Sequence, residues 1–311
     1  MRWILALPLL LGLAAAEIAA PVPAFFDFLK IPGAAGKPLT YGKGHLQVEA
    51  LAGRLYKVRY VGPKDDLKDA GRVIAAAVGA PEVEGAFARW LKANGEAIAA
   101  RKRPVRVGLG RGYVLEIALG RDLRFEVAPL TVPEAAFGAP RHLLGKRGPL
   151  VREYSDFYCP YCRRLALKVL PQLKRELIDK GRLRLDYRHF PLVEIHPDAF
   201  QAALASECAA EQGKFWPYHD ALFATLEKQK SVDYLALARR LGLDDRRFST
   251  CLSQERYQKV VKAMRSEAER LGLDGTPTVF VGPFMLPNPF DLEAYRNYAA
   301  MAAALKAQAK K

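Results

Sequence analysis

The chain has 311 residues, half of them hydrophobic, which is enough to bury a sizeable core and suggests roughly two domains. Its formal net charge is +15, from 48 Lys and Arg against 33 Asp and Glu. The basic residues are scattered and mostly stand beside acidic ones, so the charge argues for a solvated surface and against a nucleic-acid-binding tract.

The N-terminus reads as a secretory signal peptide over residues 1–16. Met1-Arg2 gives a positive start, Trp3 to Leu13 an apolar run, and Ala14-Ala15-Ala16 a small-residue cleavage site, with Ala20 as an alternative. The run is shorter than the roughly 20 apolar residues a spanning helix needs. No cysteine lies near the site, which excludes a lipoprotein anchor. The expected location is the periplasm or another extracytoplasmic space, where cysteines meet an oxidising environment.

From Pro21 to about Pro140 the pattern predicts a small α+β domain without cysteine. Strands are expected at His45 to Leu51 and Arg54 to Val61, helices at Lys68 to Val78 and Glu84 to Ala100, and strands again at Val105 to Leu109 and Tyr113 to Val127. Turns at Ala52-Gly53 and Gly120-Arg121 separate hairpin strands. No His, Ser or carboxylate spacing there suggests chemistry, so residues 21–140 read as a docking or dimerisation module, with a homodimer as one outcome. Gly138 to Pro149, rich in Gly, Pro and basic residues, reads as the linker.

A strand, Leu150 to Tyr154, then leads into DFYCPYC (Asp156 to Cys162), and apolar residues at Leu165, Val169, Leu170, Leu173 and Leu177 follow at helical spacing. Two cysteines three apart can be a redox couple, half of a metal site or a structural staple. The strand-to-helix setting favours the first. Cys159 falls at a helix N-terminus, where unpaired backbone N–H groups and the helix dipole favour a thiolate. Pro160 suits the first helical position, and Cys162 lies on the same helix face but deeper. Cys159 is therefore the expected attacking thiolate and Cys162 the resolving thiol, working through a mixed disulfide. Pro171 is expected to bend or interrupt this helix.

These features together resemble the DsbA-like branch of the thioredoxin superfamily, in the group with a short helical insertion. The stretches that carry the resemblance are VREYSDFYCPYCRRLALKVLP at 151–171, RHFPL at 188–192, ECAAEQGKFWPYHDALF at 207–223, FSTCL at 248–252 and GTPTVFVG at 275–282. They cover residues 142–311 and leave 21–140 outside. The resemblance implies an α/β thioredoxin fold with an inserted helical subdomain at about 197–270. It places Cys159 and Cys162 as the redox-active disulfide, with Pro160 and Tyr161 as the intervening pair that tunes the potential and meets substrate. Pro277 matches the family's cis-proline beside the cysteines, and Thr276 would pair its backbone with an extended substrate chain. Glu153 matches a buried acid that relays the proton of Cys162; by position alone it could equally be a solvent-facing strand residue. Strongly oxidising members carry Pro-His between the cysteines. The Pro-Tyr here predicts an oxidising but less extreme potential.

Cys208 shares a helix face with Phe200 and Leu204, and Cys251 follows Phe248 by three, so both point into one core and are expected to form a structural disulfide. His189, His196 and His219 are set aside as metal ligands in favour of capping or surface roles, and no metal or cofactor is expected. Phe215, Trp216 and Tyr218 read as core of the insertion. The expected function is an exported thiol:disulfide oxidoreductase that forms disulfides in reduced or unfolded secreted proteins and is reoxidised by a membrane quinone-linked oxidase. A reductase or isomerase, or a copper-delivery protein using the same two cysteines, are the competing readings.

Overall fold

Alternation of buried and exposed side chains builds the N-terminal sheet. In Gly44–Leu51, Leu46 and Val48 are buried while His45 and Gln47 are exposed; in Leu123–Pro129, Leu123, Phe125 and Val127 point inward between Arg124 and Glu126. Each such strand buries one face only. The structure is a computed structural model that describes residues 5–6, 18–110, 112–228 and 230–309. Apart from Leu5 and Ala6, the segment 1–16 read as a signal peptide lies outside the described residues.

Two compact units divide the chain. One comprises residues up to Thr131 with Phe284–Asn288 and the stretch from Arg296; the other comprises Val132–Pro283 and Pro289–Tyr295. The sequence pattern sets the boundary near 140 and keeps 142–311 together. The segment Phe284–Asn288 groups with the first unit because the Tyr56 and Phe284 rings meet edge to face, and Met285 N–H donates to the Leu130 carbonyl.

The first unit's sheet contains β1 (Leu5–Ala6), β2 (Leu39–Tyr41), β3 (Gly44–Leu51), β4 (Arg54–Gly62), β5 (Val105–Gly108), β6 (Tyr113–Leu119) and β7 (Leu123–Pro129), in the order β1-β5-β6-β7-β4-β3-β2. Among the described residues of this sheet only the β1–β5 pair is parallel. Helices Val22–Leu29, Leu67–Val78 and Val83–Ala99 share one core with it, through Phe25, Ile74 and Phe87 against Leu46, Val58 and Phe125. A Cβ on Gly71 would come within 2.6 Å of the Glu84 carbonyl oxygen, so glycine lets the last two helices close on one another. The elements expected between 45 and 127 are present, with Tyr113 to Val127 split at Gly120. Helix Val22–Leu29 and strand β2 were not anticipated; both are too short to show a periodic pattern.

The second unit carries β8 (His142–Leu144), β9 (Leu150–Ser155), β10 (Arg184–His189) and β11 (Thr278–Val281), in the order β11-β9-β10-β8. β9 and β10 are parallel, as a helical crossover requires, and β8 and β11 run antiparallel to their neighbours. All six residues of β9 are buried, because both sheet faces are covered. The register sets Glu153 beside Tyr187 and Ser155 beside His189. Those four side chains share one sheet face, while Arg152, Tyr154, Asp186 and Arg188 share the other. Five helices, Ala199–Glu211, Phe215–Leu226, Tyr234–Arg240, Asp245–Ser253 and Gln258–Arg270, stand between β10 and β11 as the inserted subdomain. Among the described residues no helix is long and apolar enough to cross a membrane.

Two expectations are corrected. The stretch Gly138 to Pro149 is not a free linker, since it contains β8. The backbone N–H groups of Arg141 and His142 donate to Asp186 Oδ1 at 2.8 and 2.9 Å, and Gly138 N–H donates to Glu267 Oε2 at 2.6 Å. Buried acids distant in sequence hold what composition reads as loose. Pro171 does not interrupt its helix, which runs from Pro160 to Ile178 with wide π turns at Leu165–Val169 and Lys174–Ile178. The Leu170 N–H reaches back to the Leu165 carbonyl, and this wider turn precedes the proline, which has no N–H to contribute.

Candidate active site

Strand β9 ends at Ser155 and the chain turns through Asp156 to Tyr158 before Cys159 caps the helix in an extended conformation, with Pro160 in its first turn. Asp156 pins this turn. Its Oδ1 accepts the Tyr158 N–H at 2.7 Å, its Oδ2 accepts the Leu192 N–H at 2.9 Å and meets His196 Nδ1 at 2.9 Å, and its own N–H donates to Cys162 Sγ at 3.4 Å. The sequence shows Asp156 within the motif and assigns it no role of its own. The available signal was an Asp two residues before an N–H that needs a partner, the pattern of an Asx turn.

Both Cys159 and Cys162 are free thiols, with Cys159 4% and Cys162 0% exposed, so the outer thiol is itself largely buried. Cys159 Sγ donates to the Thr276 carbonyl at 3.4 Å, and the Thr276–Pro277 peptide bond is cis. The structure thus brings Thr276 and Pro277 to the first cysteine. Hydrogen bonding from the Cys162 thiol is the largest influence on Cys159; against the opposing effect of burial, it joins the Thr276 hydroxyl and the backbone N–H groups of Cys162 and Tyr161 in lowering the pKa to about 6. Burial, followed by the hydrogen bond to Cys159 and the charge on it, pushes Cys162 well above the ordinary thiol range. One thiol is an anion near neutrality and the other holds its proton. Pro160 and Tyr161 both face solvent at the helix start, Tyr161 with 59% exposure.

Glu153 is buried, 3% exposed, and burial raises its pKa to about 7. Of the two positions weighed for it, the solvent-facing one is excluded.

Cys208 and Cys251 are joined in a disulfide between helices Ala199–Glu211 and Asp245–Ser253, 43 residues apart in sequence. Replacing both by Ala is expected to lower the unfolding free energy by up to about 4 kcal/mol, the chain-entropy bound for a loop of that length. Urea unfolding would measure it, and an unchanged midpoint would remove the stabilising role.

The histidines differ from expectation. His196 is partly buried on Asp156, but His219 is fully buried among Phe157, Tyr187, Phe215, Trp216 and Phe223, and His189 is 1% exposed. Surface and capping roles therefore do not hold for these two. Phe215 and Tyr218 are core, and Phe215 stacks on His142 with ring centroids 3.6 Å apart. His142, His189 and Glu207 bring three ligand-type atoms within 4.8 Å of one another. Arg141 already forks onto the Glu207 carboxylate, with Nη2 to Oε2 at 2.7 Å and Nε at 2.9–3.0 Å. That guanidinium supplies the positive charge a metal ion would bring, so the cluster is an ion network rather than a vacant cation site.

The family model described as Thioredoxin matches residues 144–300. The chain is 39% identical over 155 residues to the Na(+)/H(+) antiporter NhaA 3 of Salinispora tropica, a match covering 49% of this chain and 23% of that protein. It thus spans less than a quarter of that relative's length. It is 28% identical over 158 residues to a probable disulfide bond formation protein D of Bacillus anthracis, covering 48% of this chain and 72% of that one. Among solved structures, oxidised BdbD from Bacillus subtilis is similar at 23% identity and a TM-score of 0.46, covering 54% of this chain and 97% of that one.

Proposed function

This chain belongs to the thioredoxin family, and from that membership we propose that it is a DsbA-like thiol:disulfide oxidoreductase that passes the Cys159–Cys162 disulfide to reduced proteins outside the cytoplasm. The observation that carries the reading is the polarised pair, an acidified Cys159 at the helix start over a buried Cys162 that keeps its proton. In the proposed reaction a substrate thiolate attacks Cys159 Sγ, the Cys159–Cys162 bond breaks, and Cys162 leaves and is protonated. A second substrate thiol then attacks the substrate sulfur of the mixed disulfide and releases Cys159 as a thiolate. The substrate leaves oxidised by two electrons and the enzyme holds both thiols. Thr276, beside Cys159, is the proposed backbone partner for the substrate chain.

An extracytoplasmic setting is supported by the Cys208–Cys251 disulfide, because structural disulfides persist in oxidising compartments. The proposed partners are reduced or unfolded secreted proteins on one side and a membrane quinone-linked oxidase on the other.

The test is equilibration of the purified protein with glutathione and an assay on a reduced, unfolded protein. Catalysed oxidation is expected, with a Cys159–Cys162 potential between about −270 and −120 mV. At pH 7 a pKa near 6 in place of the ordinary 9.0 stabilises the reduced form about 11-fold, worth about 30 mV of the roughly 150 mV that separates those limits. The potential should fall about 59 mV per pH unit below pH 6, where two protons accompany two electrons, and about 30 mV per unit above it. A potential at the reducing limit with no oxidase activity would overturn the reading.

A further inference from the structure

Four buried polar atoms on one face of the central strands make no well-formed hydrogen bond to the protein: Glu153 Oε1, Ser155 Oγ, the Tyr187 hydroxyl and His189 Nε2, the last lying 3.3 Å from Glu207. Buried polar groups are nearly always satisfied, so such a group calls for an explanation, and the first three stand closest to Cys162. Their placement offers one. Glu153 and Tyr187 are register partners on adjacent strands, and Ser155 stands two residues beyond Glu153 on the same face. The next backbone N–H after Ser155, that of Asp156, donates to Cys162 Sγ, which puts this sulfur at the end of the row. The order along the face is therefore Glu153 with Tyr187, then Ser155, then Cys162.

We propose that the Ser155 hydroxyl carries the proton exchanged between Cys162 and Glu153, and that Tyr187 is a positioning residue that holds Glu153 and the Cys162 sulfur in line. The proposal rests on the function proposed above and names further residues of that site. In the resolving direction the Cys162 thiol gives its proton to Ser155 Oγ while Ser155 passes its own proton to the Glu153 carboxylate. The freed Cys162 thiolate attacks Cys159 Sγ in a mixed disulfide, the Cys159–Cys162 bond forms, and the other sulfur departs as a thiolate. In the oxidising direction each step reverses, and Glu153 reprotonates the departing Cys162. No outside oxidant is required beyond the disulfide already present.

Electrostatics agree with the row. The Ser155 hydroxyl acts on Glu153, Cys162 and Tyr187 alike, lowering each, and the charges of Cys162 and Glu153 both raise Tyr187. Burial is the largest cause for Tyr187 and keeps its hydroxyl protonated, so it remains a donor. Two other polar groups lie near the row: the Tyr295 hydroxyl donates to the Pro289 carbonyl, and His189, register partner of Ser155, turns its Nε2 to within 3.3 Å of Glu207. From β11 the register partner of Glu153 is the apolar Val279.

The test uses the reduced full-length protein and oxidised glutathione, with acid-quenched mass spectrometry separating formation of the Cys159–glutathione disulfide from its resolution by Cys162. In the native protein the resolution rate should rise with pH through an inflection near 7, following Glu153. In Ser155→Ala that rate should fall roughly tenfold at pH 7 and the inflection should vanish, while the first step is unchanged; loss of general acid–base help on this scale is modest. Ser155→Thr should restore both rate and inflection, and Tyr187→Phe should shift the inflection. Unchanged resolution kinetics in folded Ser155→Ala, or failure of Ser155→Thr to restore them, would overturn the relay. Absence of disulfide exchange in the native protein would instead overturn the proposed function.

Discussion

Cys159→Ser is expected to abolish thiol oxidation, whereas Cys162→Ser should still attack a disulfide and then stall as a stable mixed disulfide visible by mass. A hydroxyl cannot form the sulfur–sulfur bond, so the first variant has no residual path. The second retains the attacking thiolate and loses only the group that releases the substrate. Acidification of Cys159 acts on two opposed factors. At pH 7 a pKa of about 6 leaves about 90% of the sulfur as thiolate, against about 1% at the ordinary 9.0, while the accompanying loss of nucleophilicity over three units is about 20-fold for a Brønsted slope near 0.45. The gain in attack is thus only about fourfold. The larger consequence is that Cys159 becomes a good leaving group, which fits a protein that hands its disulfide on. Because the leading cause of the low pKa is the hydrogen bond from Cys162, removing that donor in Cys162→Ala should move the pH midpoint of Cys159 alkylation upward. Cys162→Ser, which keeps a donor, should move it less. A midpoint unchanged in Cys162→Ala would shift the cause to the helix terminus, and a Cys159→Ser variant that still oxidises substrate would remove Cys159 from the mechanism.

What could be read in advance was what has a local signature. The turn and helix around Cys159 are written in the proline in the first helical turn and the helical spacing from Leu165. The Cys208 and Cys251 positions follow from helix faces shared with Phe200, Leu204 and Phe248. The parts that escaped have no such signature. Strand β8 is three residues long and offers no period; it is held by Asp186, more than forty residues away. Asp156 acts through four short contacts to neighbours on two segments, and only one of those partners is close enough in sequence to suggest a turn. His142 sat in a stretch whose glycines and basic residues read as linker, yet its ring is 4% exposed beside Glu207. Composition reports how much charge a segment carries, not whether distant acids bury it.

That buried charge leads to the second large effect. Glu207 is 0% exposed and receives Arg141 bidentately and His142 Nε2 at 2.8 Å, so one carboxylate ties β8 and the residue before it to helix Ala199–Glu211. Burial alone would raise its pKa, but the hydrogen bond from His142, the nearby His189 ring and the Arg141 guanidinium outweigh it and hold the carboxyl well below the usual range. Glu207→Ala should therefore cost about 1–3 kcal/mol in urea unfolding, because it leaves the buried His142 imidazole without its acceptor beside a cavity, while the Arg141 guanidinium, 36% exposed, can turn to water. Glu207→Gln should cost less, since it keeps one acceptor oxygen for His142 while losing the charge and one of the two oxygens that accept from Arg141. The sign of the pH dependence follows from the same shifts. A carboxyl depressed on folding contributes stability that is complete above its unfolded value near 4.5 and is lost as pH falls toward its folded value. His142 is lowered, first by burial, so the unfolded chain takes up the proton more readily and stability also declines below about pH 6.5. Native protein should lose stability in two stages on acidification, and Glu207→Gln should lose the lower one. If Glu207→Ala unfolds at the native urea midpoint, or the acid limb is the same in Glu207→Gln, the network does not hold β8 to the inserted helices, and the attachment must come from the Phe215–His142 stack and its neighbours instead.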